Sequence, residues 1–457
     1  MTAVARSAAP RETDQATATE RLIARIADAA AQADPVSLER SRFCLLDWLG
    51  VTLAGAREPL VDVLAADAEP GADGHVLIGR SERVGLRDAV LINGAAGHAL
   101  DYDDGMPAMG GHPSVAILPA LVATAAAEGI SGDRLLRAIV AGAEAAGRVG
   151  AMMAPDHYDR GYHCTGTVGA IAGTAACALL IGLDPGQTAS AIGLAATRAA
   201  GLKASFGNDG KPLHAAWASL IALTSARWAA RGMVGSADAI GHRQGFGAAA
   251  SATFDAERGL AAGNTPHILT ITFKSHAACA ITHPSIDVLR RMRSDDGLDP
   301  ERIRRIRIAV APQANDICNI ADPRSGLELK FSLRGTAAMA AGGVDTANPA
   351  SYGEATASDP AVRSLIGRTE VELLPALALG ESAVTVELSD GSSLTGTSSL
   401  RVETDAGILR DRLTAKFAAL ATPILGADRM HAIEAAVLAD GDGPILRDLL
   451  PLCATTR

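Results

Sequence analysis

Residues 166–183 carry no charge at all. The run approaches the length that crosses a membrane, but it is rich in Gly, Ala, Thr and Cys. That composition favours a helix buried within a shell of other helices. The preceding and following sequence supplies the shell. Helical patterns cover residues 18–33, 38–54 behind Ser37 as a cap, 60–66, 88–99, 114–128, 132–152, 189–200 and 215–231. Alanine and glycine dominate and aromatics make up only 3% of the chain. The helices must therefore meet closely, with small side chains at their contacts.

The pattern changes near Pro266. Residues 268–273 are β-like, 306–310 alternate as a half-buried strand does, and 384–388, Asp390-Gly391 and 394–400 spell strand, tight turn, strand. A helix is expected over 330–341, and helices return at 410–420 and 428–439. The expected fold is mainly α. A large all-helical domain is built from residues 1–265 and 405–457, and a smaller α+β domain from 266–404. A chain of 457 residues, 48% of them apolar, has material for more than one core.

The net charge is −10, with no Lys/Arg run, which argues against a nucleic-acid surface. It also means that any anionic ligand must meet positive charge collected locally. Cys44, Cys164, Cys177, Cys279, Cys318 and Cys453 form no CxxC, so an iron–sulfur or zinc framework is not expected. Their scatter fits reduced thiols in a cytoplasm. Residues 1–14 mix charges and proline without an apolar core, so they are a poor signal peptide and are expected to be a disordered lead-in. No membrane partner is expected.

The densest titratable chemistry is the loop 97–114, with His98, Asp101, Asp103, Asp104 and His112. An EF-hand register from Asp101 fails, because Gly105 and His112 stand where ligand positions 5 and 12 fall. A DDxxD pair fails at Pro107. A zinc site of His98, Asp101 and His112 has no HExxH or paired Cys behind it. What remains is an acid–base site, or carboxylates that merely cap the next helix. Two further loops repeat the arrangement of polar residue, loop and helix start. His163 lies close to a helix N-terminus, where an anion is favoured, whereas His157 reads as a solvated loop histidine. Lys211 precedes the third helix and lacks the glycine and Ser/Thr of a P-loop.

Taken in order, these motifs resemble the MmgE/PrpD family of 2-methylcitrate dehydratases, cis-aconitate decarboxylases and iminodisuccinate epimerases. The matching residues are His98-Ala99-Leu100-Asp101-Tyr102-Asp103-Asp104, His112-Pro113-Ser114, Tyr162-His163, Gly210-Lys211-Pro212-Leu213-His214, Gly245-Phe246-Gly247, Phe273-Lys274 and Lys330-Phe331-Ser332-Leu333. The resemblance implies that the α+β domain is a lid over a cleft, and that the protein is a homodimer. It places Asp101, His112, His163, Lys211 and Lys274 in the cleft as catalytic residues. Lys211, Lys274, Arg334 and His98 would bind substrate. Two departures stand out. Gly105 replaces a threonine of the decarboxylases, and Gly335, after Arg334, replaces a site tyrosine of many members.

The resemblance further implies a small di- or tricarboxylate substrate and no metal or organic cofactor. The shared step is making or breaking a C–H bond next to a carboxylate. That needs a positioned base and stabilisation of enolate-like charge. A hydro-lyase is the first expectation, with an epimerase or a decarboxylase as alternatives. A catalytically silent dicarboxylate-binding dimer is the alternative of a different class.

Overall fold

The computed structural model describes residues 16–261, 263 and 265–455. The lead-in expected at residues 1–14 lies outside them. The uncharged run forms the helix Cys164–Ile181, which packs against Gly210–Ala230, Gly132–Met153 and Pro113–Glu128. Of the described helices it alone is long and apolar enough to cross a membrane, yet 89% of it is buried inside the protein. Glycine permits the closeness. A Cβ on Gly169 would stand 2.6 Å from Ala116 Cβ, and one on Gly173 would stand 2.8 Å from the Ala116 carbonyl.

Local chemistry sets the helix ends. The second helix, Pro35–Gly55, starts two residues before its expected cap, Ser37. Asp34 is the cap, accepting the Ser37 N–H at 2.7 Å, and Pro35 needs no donor partner in the first turn. Thr17 and Glu20 close a capping box on the first helix, Ala18–Ala31.

The smaller unit is a four-stranded sheet in the order Thr369–Leu373, Ile303–Val310, Glu381–Leu388, Ser393–Ser399. The first pair is parallel and the others antiparallel. Ser382, Val384, Val386 and Leu388 are buried on alternate positions. The helices His283–Asp295 and Leu333–Gly342 pack on the sheet.

Two expectations need correction. Residues 268–273 are not a strand: His267–Thr270 is a 3₁₀ turn, and only Thr272 forms a bridge, to Gly105. Ile268, Ile271 and Phe273 instead anchor this segment in the helical core. The helix expected over 330–341 is two helices, Gly326–Lys330 and Leu333–Gly342. Ser332 breaks it by turning extended and accepting the Gly335 N–H. The strand Thr369–Leu373 and the small ribbon of Pro70–Val76 with Arg83–Val84 were not expected; the first alternates but is only five residues long, and the ribbon shows no clear alternation.

Two apolar clusters dominate. The larger runs from Leu22 to Phe273 and resumes from Leu409 to Cys453. The second spans Ala277 to Leu388 but also takes in Val51, Leu100, Tyr102 and Leu420. The loop after residue 99 therefore lies along the seam between them.

If close helix approach is what glycine supplies, Gly169→Ala should cost about 1–3 kcal/mol, although alanine is the better helix former. Gly367→Ala, at a helix end with open space around it, should change stability by less than about 0.5 kcal/mol. Urea unfolding of the two variants checks this contrast.

Candidate active site

Three mutually packed helices begin at the seam. His112 is the residue before Pro113–Glu128, His163 the residue before Cys164–Ile181, and Lys211 the second residue of Gly210–Ala230. Their N-terminal dipoles favour an anion here. The helix Leu86–Ala99 ends at the same place and delivers His98.

Asp101 sits at the centre. Its φ of +49° makes it the one non-glycine among the described residues in the left-handed region, a conformation held only where surrounding contacts enforce it. Lys211 Nζ donates to Asp101 Oδ1 at 2.6 Å, and Lys274 Nζ lies 2.9 Å from the same oxygen. Lys274 also donates to the Asp101 carbonyl at 2.6 Å. All three side chains are buried. Burial pushes the Asp101 carboxyl up, but the two ammonium groups outweigh it and hold the group well below the usual carboxylate range. Burial likewise lowers Lys274, and Asp101 and Asp103 more than restore it.

A relay flanks this centre. His98 Nδ1 lies 2.9 Å from both oxygens of Asp103, and Lys211 Nζ lies 3.0 Å from His98 Nε2. Burial keeps His98 neutral against the pull of Asp103. Its Nδ1–H therefore donates to Asp103, and Nε2 accepts from Lys211. Burial raises the Asp103 carboxyl, but His98 and His112 hold it below its ordinary range.

Two more imidazoles line the site. His112 Nδ1 donates to the Asp104 carbonyl at 2.6 Å, which leaves Nε2 facing Asp101 Oδ1 at 3.8 Å. At 16% exposure its side chain is the most open of the set. His163 is fully enclosed, with Phe206 edge-on at 5.1 Å. Its Nε2 has no hydrogen-bond partner, nor does Asp101 Oδ2. Burial pushes His163 well below its usual value, helped by Lys211 and His98. His112 falls for the same primary reason, against Asp103.

His98, Asp101, Asp103 and His112 each offer a ligand atom within 4.8 Å of the others. Their donor chemistry does not suit a metal. Both nitrogens of His98 are engaged, and Asp101 Oδ1 already meets two ammonium charges. A cation would have to displace Lys211 and Lys274.

The structure thus brings Asp101, His112, His163, Lys211, Lys274 and His98 together. His98 is engaged on both sides by protein groups, so it supports Lys211 instead of facing a ligand. Arg334 donates to Asn319 Oδ1 at 2.6 Å. His157 is not solvated. It is buried, with Nδ1 on the Ala250 carbonyl, Nε2 on Thr167 Oγ1 and its ring stacked on Tyr162. At Gly335 a Cβ would stand 2.8 Å from Leu329 Cδ2, whereas Gly105 is open toward Thr272. Sequence reasoning placed Lys330 in a motif without giving it a role and missed Lys416; they donate to the Leu100 and Tyr102 carbonyls at 2.7 and 2.8 Å.

Residues 21–259 match the MmgE/PrpD N-terminal domain and residues 276–440 the MmgE/PrpD C-terminal domain. The chain is similar to a cis-aconitate decarboxylase-like protein, oryM, of Aspergillus oryzae, at 28% identity over 91% of this chain and 92% of that one. It is similar to the cis-aconitate decarboxylase of Homo sapiens at 27% identity, over 87% and 86% of the two chains. With the cis-aconitate decarboxylase of Aspergillus terreus the identity is 27% over 62% of each.

Asp104 provides a test of the site's electrostatics. It is buried, accepts both the N–H and the hydroxyl of Ser114, and is pushed up to about 8 by burial. The folded protein then keeps a proton that the unfolded chain releases above about pH 4. This group's contribution to stability must fall as pH rises from about 4 to about 8. The melting temperature of Asp104→Asn minus that of the wild type should therefore grow across this range. A constant difference would show Asp104 already ionised.

Proposed function

Because the chain belongs to the MmgE/PrpD family, we propose that this enzyme is a cofactor-independent lyase. It would act on a small di- or tricarboxylate by moving a proton on the carbon next to a carboxylate. One observation carries the reading. Two buried polar atoms without partners, His163 Nε2 and Asp101 Oδ2, stand beside two buried ammonium groups, Lys211 and Lys274.

The ammonium groups are the local positive charge that an anion needs on a protein of net charge −10. They also face the place where enolate-like charge would develop, the condition for preferential transition-state stabilisation. His163, kept neutral by burial, has a bare or exchangeable Nε2 suited to proton transfer. Loss of water further requires a proton on the departing hydroxyl. Lys211 can supply it, and the His98–Asp103 pair holds that ammonium in place.

Dehydration of a 2-methylcitrate-like substrate is the first reading. Decarboxylation is the second, favoured by the similarity to cis-aconitate decarboxylases and opposed by Gly105 and Gly335. Both share the same proton chemistry.

Proton NMR in D₂O with citrate, 2-methylcitrate, cis-aconitate and iminodisuccinate tests the reading. Deuterium should appear next to a carboxylate of at least one, and the product separates dehydratase, decarboxylase and epimerase. Exchange with none would remove the proton-transfer reading for these substrates. Lys274→Ala should raise KM by about tenfold or more, as expected for loss of a charged contact worth about 1.5–3 kcal/mol. An unchanged KM would exclude Lys274 from substrate binding. EDTA should leave the rate intact; loss of activity restored by a divalent ion would contradict a cofactor-free mechanism.

A further inference from the structure

His163 has a second imidazole behind it. Its Nδ1 lies 3.2 Å from Nδ1 of His214, three residues after Lys211 on the same helix. Two facing Nδ1 atoms at this distance share a single proton, one donating and the other accepting. The backbone packs closely around the pair. A Cβ on Gly201 would stand 3.3 Å from the His163 carbonyl and 3.3 Å from His214 Cγ, and one on Gly166 would stand 3.2 Å from His214 Cβ. His163 is enclosed, while His214 is partly exposed. The far nitrogen of His163, Nε2, has no hydrogen-bond partner.

We propose that His214 is the proton outlet of His163, linking the buried reaction site to solvent. The proposal rests on the proton-transfer reading above. In the starting state His163 carries its proton on Nδ1 and His214 carries its own on Nε2. As His163 Nε2 takes a proton from the substrate carbon, its Nδ1 proton passes to His214 Nδ1. His214 then releases its Nε2 proton to water. Both rings end neutral, each in the other tautomer, and the reverse sequence delivers a proton inward. His214 touches no reacting atom; it acts through His163. The charged and titratable groups that bear on it are His163, Lys211 and His98. None is an acid, so His214 is held neutral by burial together with those neighbours, as a ring that must pass a proton on requires.

The test compares His214→Asn with wild type. The asparagine amide can keep a hydrogen bond to His163 Nδ1 but cannot relay a proton. The proposal expects kcat to fall by about tenfold or more while KM stays within about twofold. Deuterium wash-in from D₂O should slow with it, and added free imidazole should restore the rate in proportion to its concentration. Unchanged kcat, or a loss that imidazole does not relieve, would overturn it. A merely structural role predicts that the asparagine variant behaves as wild type.

A second measurement needs no turnover. In ¹⁵N-histidine-labelled protein, long-range ring spectra should show one Nδ1–H and one bare Nδ1 within the His163–His214 pair. Two rings both protonated at Nε2 alone would overturn the proposal even in an active enzyme. A correct pair in a protein that exchanges no substrate proton would instead locate the failure in the functional reading, and the outlet would fall with it.

Discussion

Three consecutive carbonyl groups, those of Leu100, Asp101 and Tyr102, each accept a hydrogen bond from a buried or nearly buried lysine. The donors come from separate parts of the chain. Lys274 lies just before the smaller unit, Lys330 ends one of its helices, and Lys416 belongs to the returning C-terminal helix Ala406–Leu425. Each lysine carries a further neighbour. Lys274 meets Asp101 Oδ1 and Lys416 meets Asp47 at 2.7 Å, while Lys330 lies over the Tyr352 ring. A loop that would otherwise be free to change shape is fixed by charge-assisted bonds. The unusual backbone of Asp101 is the visible consequence.

That constraint couples fold to chemistry. Buried ammonium groups are costly unless they are paired. Burial without a carboxylate contact pushes Lys330 down to about 8. Lys211 and Lys274 share one carboxylate oxygen of Asp101, and the Asp103 carboxylate also stabilises the Lys274 ammonium. Burial holds the neighbouring imidazoles neutral, as proton acceptors must be, and the buried ammonium groups add to it. One electrostatic arrangement therefore favours the ligand and sets the protonation state of His163.

Much of this was legible in the sequence because the chain is so rich in alanine and glycine. Against that background Asp101, His112, His163, Lys211 and Lys274 stand out at helix ends, and the ordered motifs fix their company. The residues that were not legible sit inside helices. Lys416 looks like an ordinary solvent-facing lysine and the motif around Lys330 does not reveal its partner; only folding brings the two to carbonyls 314 and 230 residues away in the chain. His157 failed as a solvated residue because its partners, Ala250 and Thr167, lie beyond its own loop. Arg334 has the right charge for a carboxylate, and the fold gives one of its donors to Asn319, a partner the sequence did not suggest. The strand expected at 268–273 failed because three apolar side chains plug into the helical core instead of alternating across a sheet.

The central claim is that Asp101 is the countercharge for two buried ammonium groups which, together, hold an anion. Thermal melting of Asp101→Asn and wild type, with and without propane-1,2,3-tricarboxylate as an unreactive anion, tests it most directly. Removing the carboxylate should destabilise the protein by about 3–5 kcal/mol, and the anion should raise the melting temperature of the variant more than that of the wild type. A variant that melts with the wild type, or gains no more from the anion, would contradict the account.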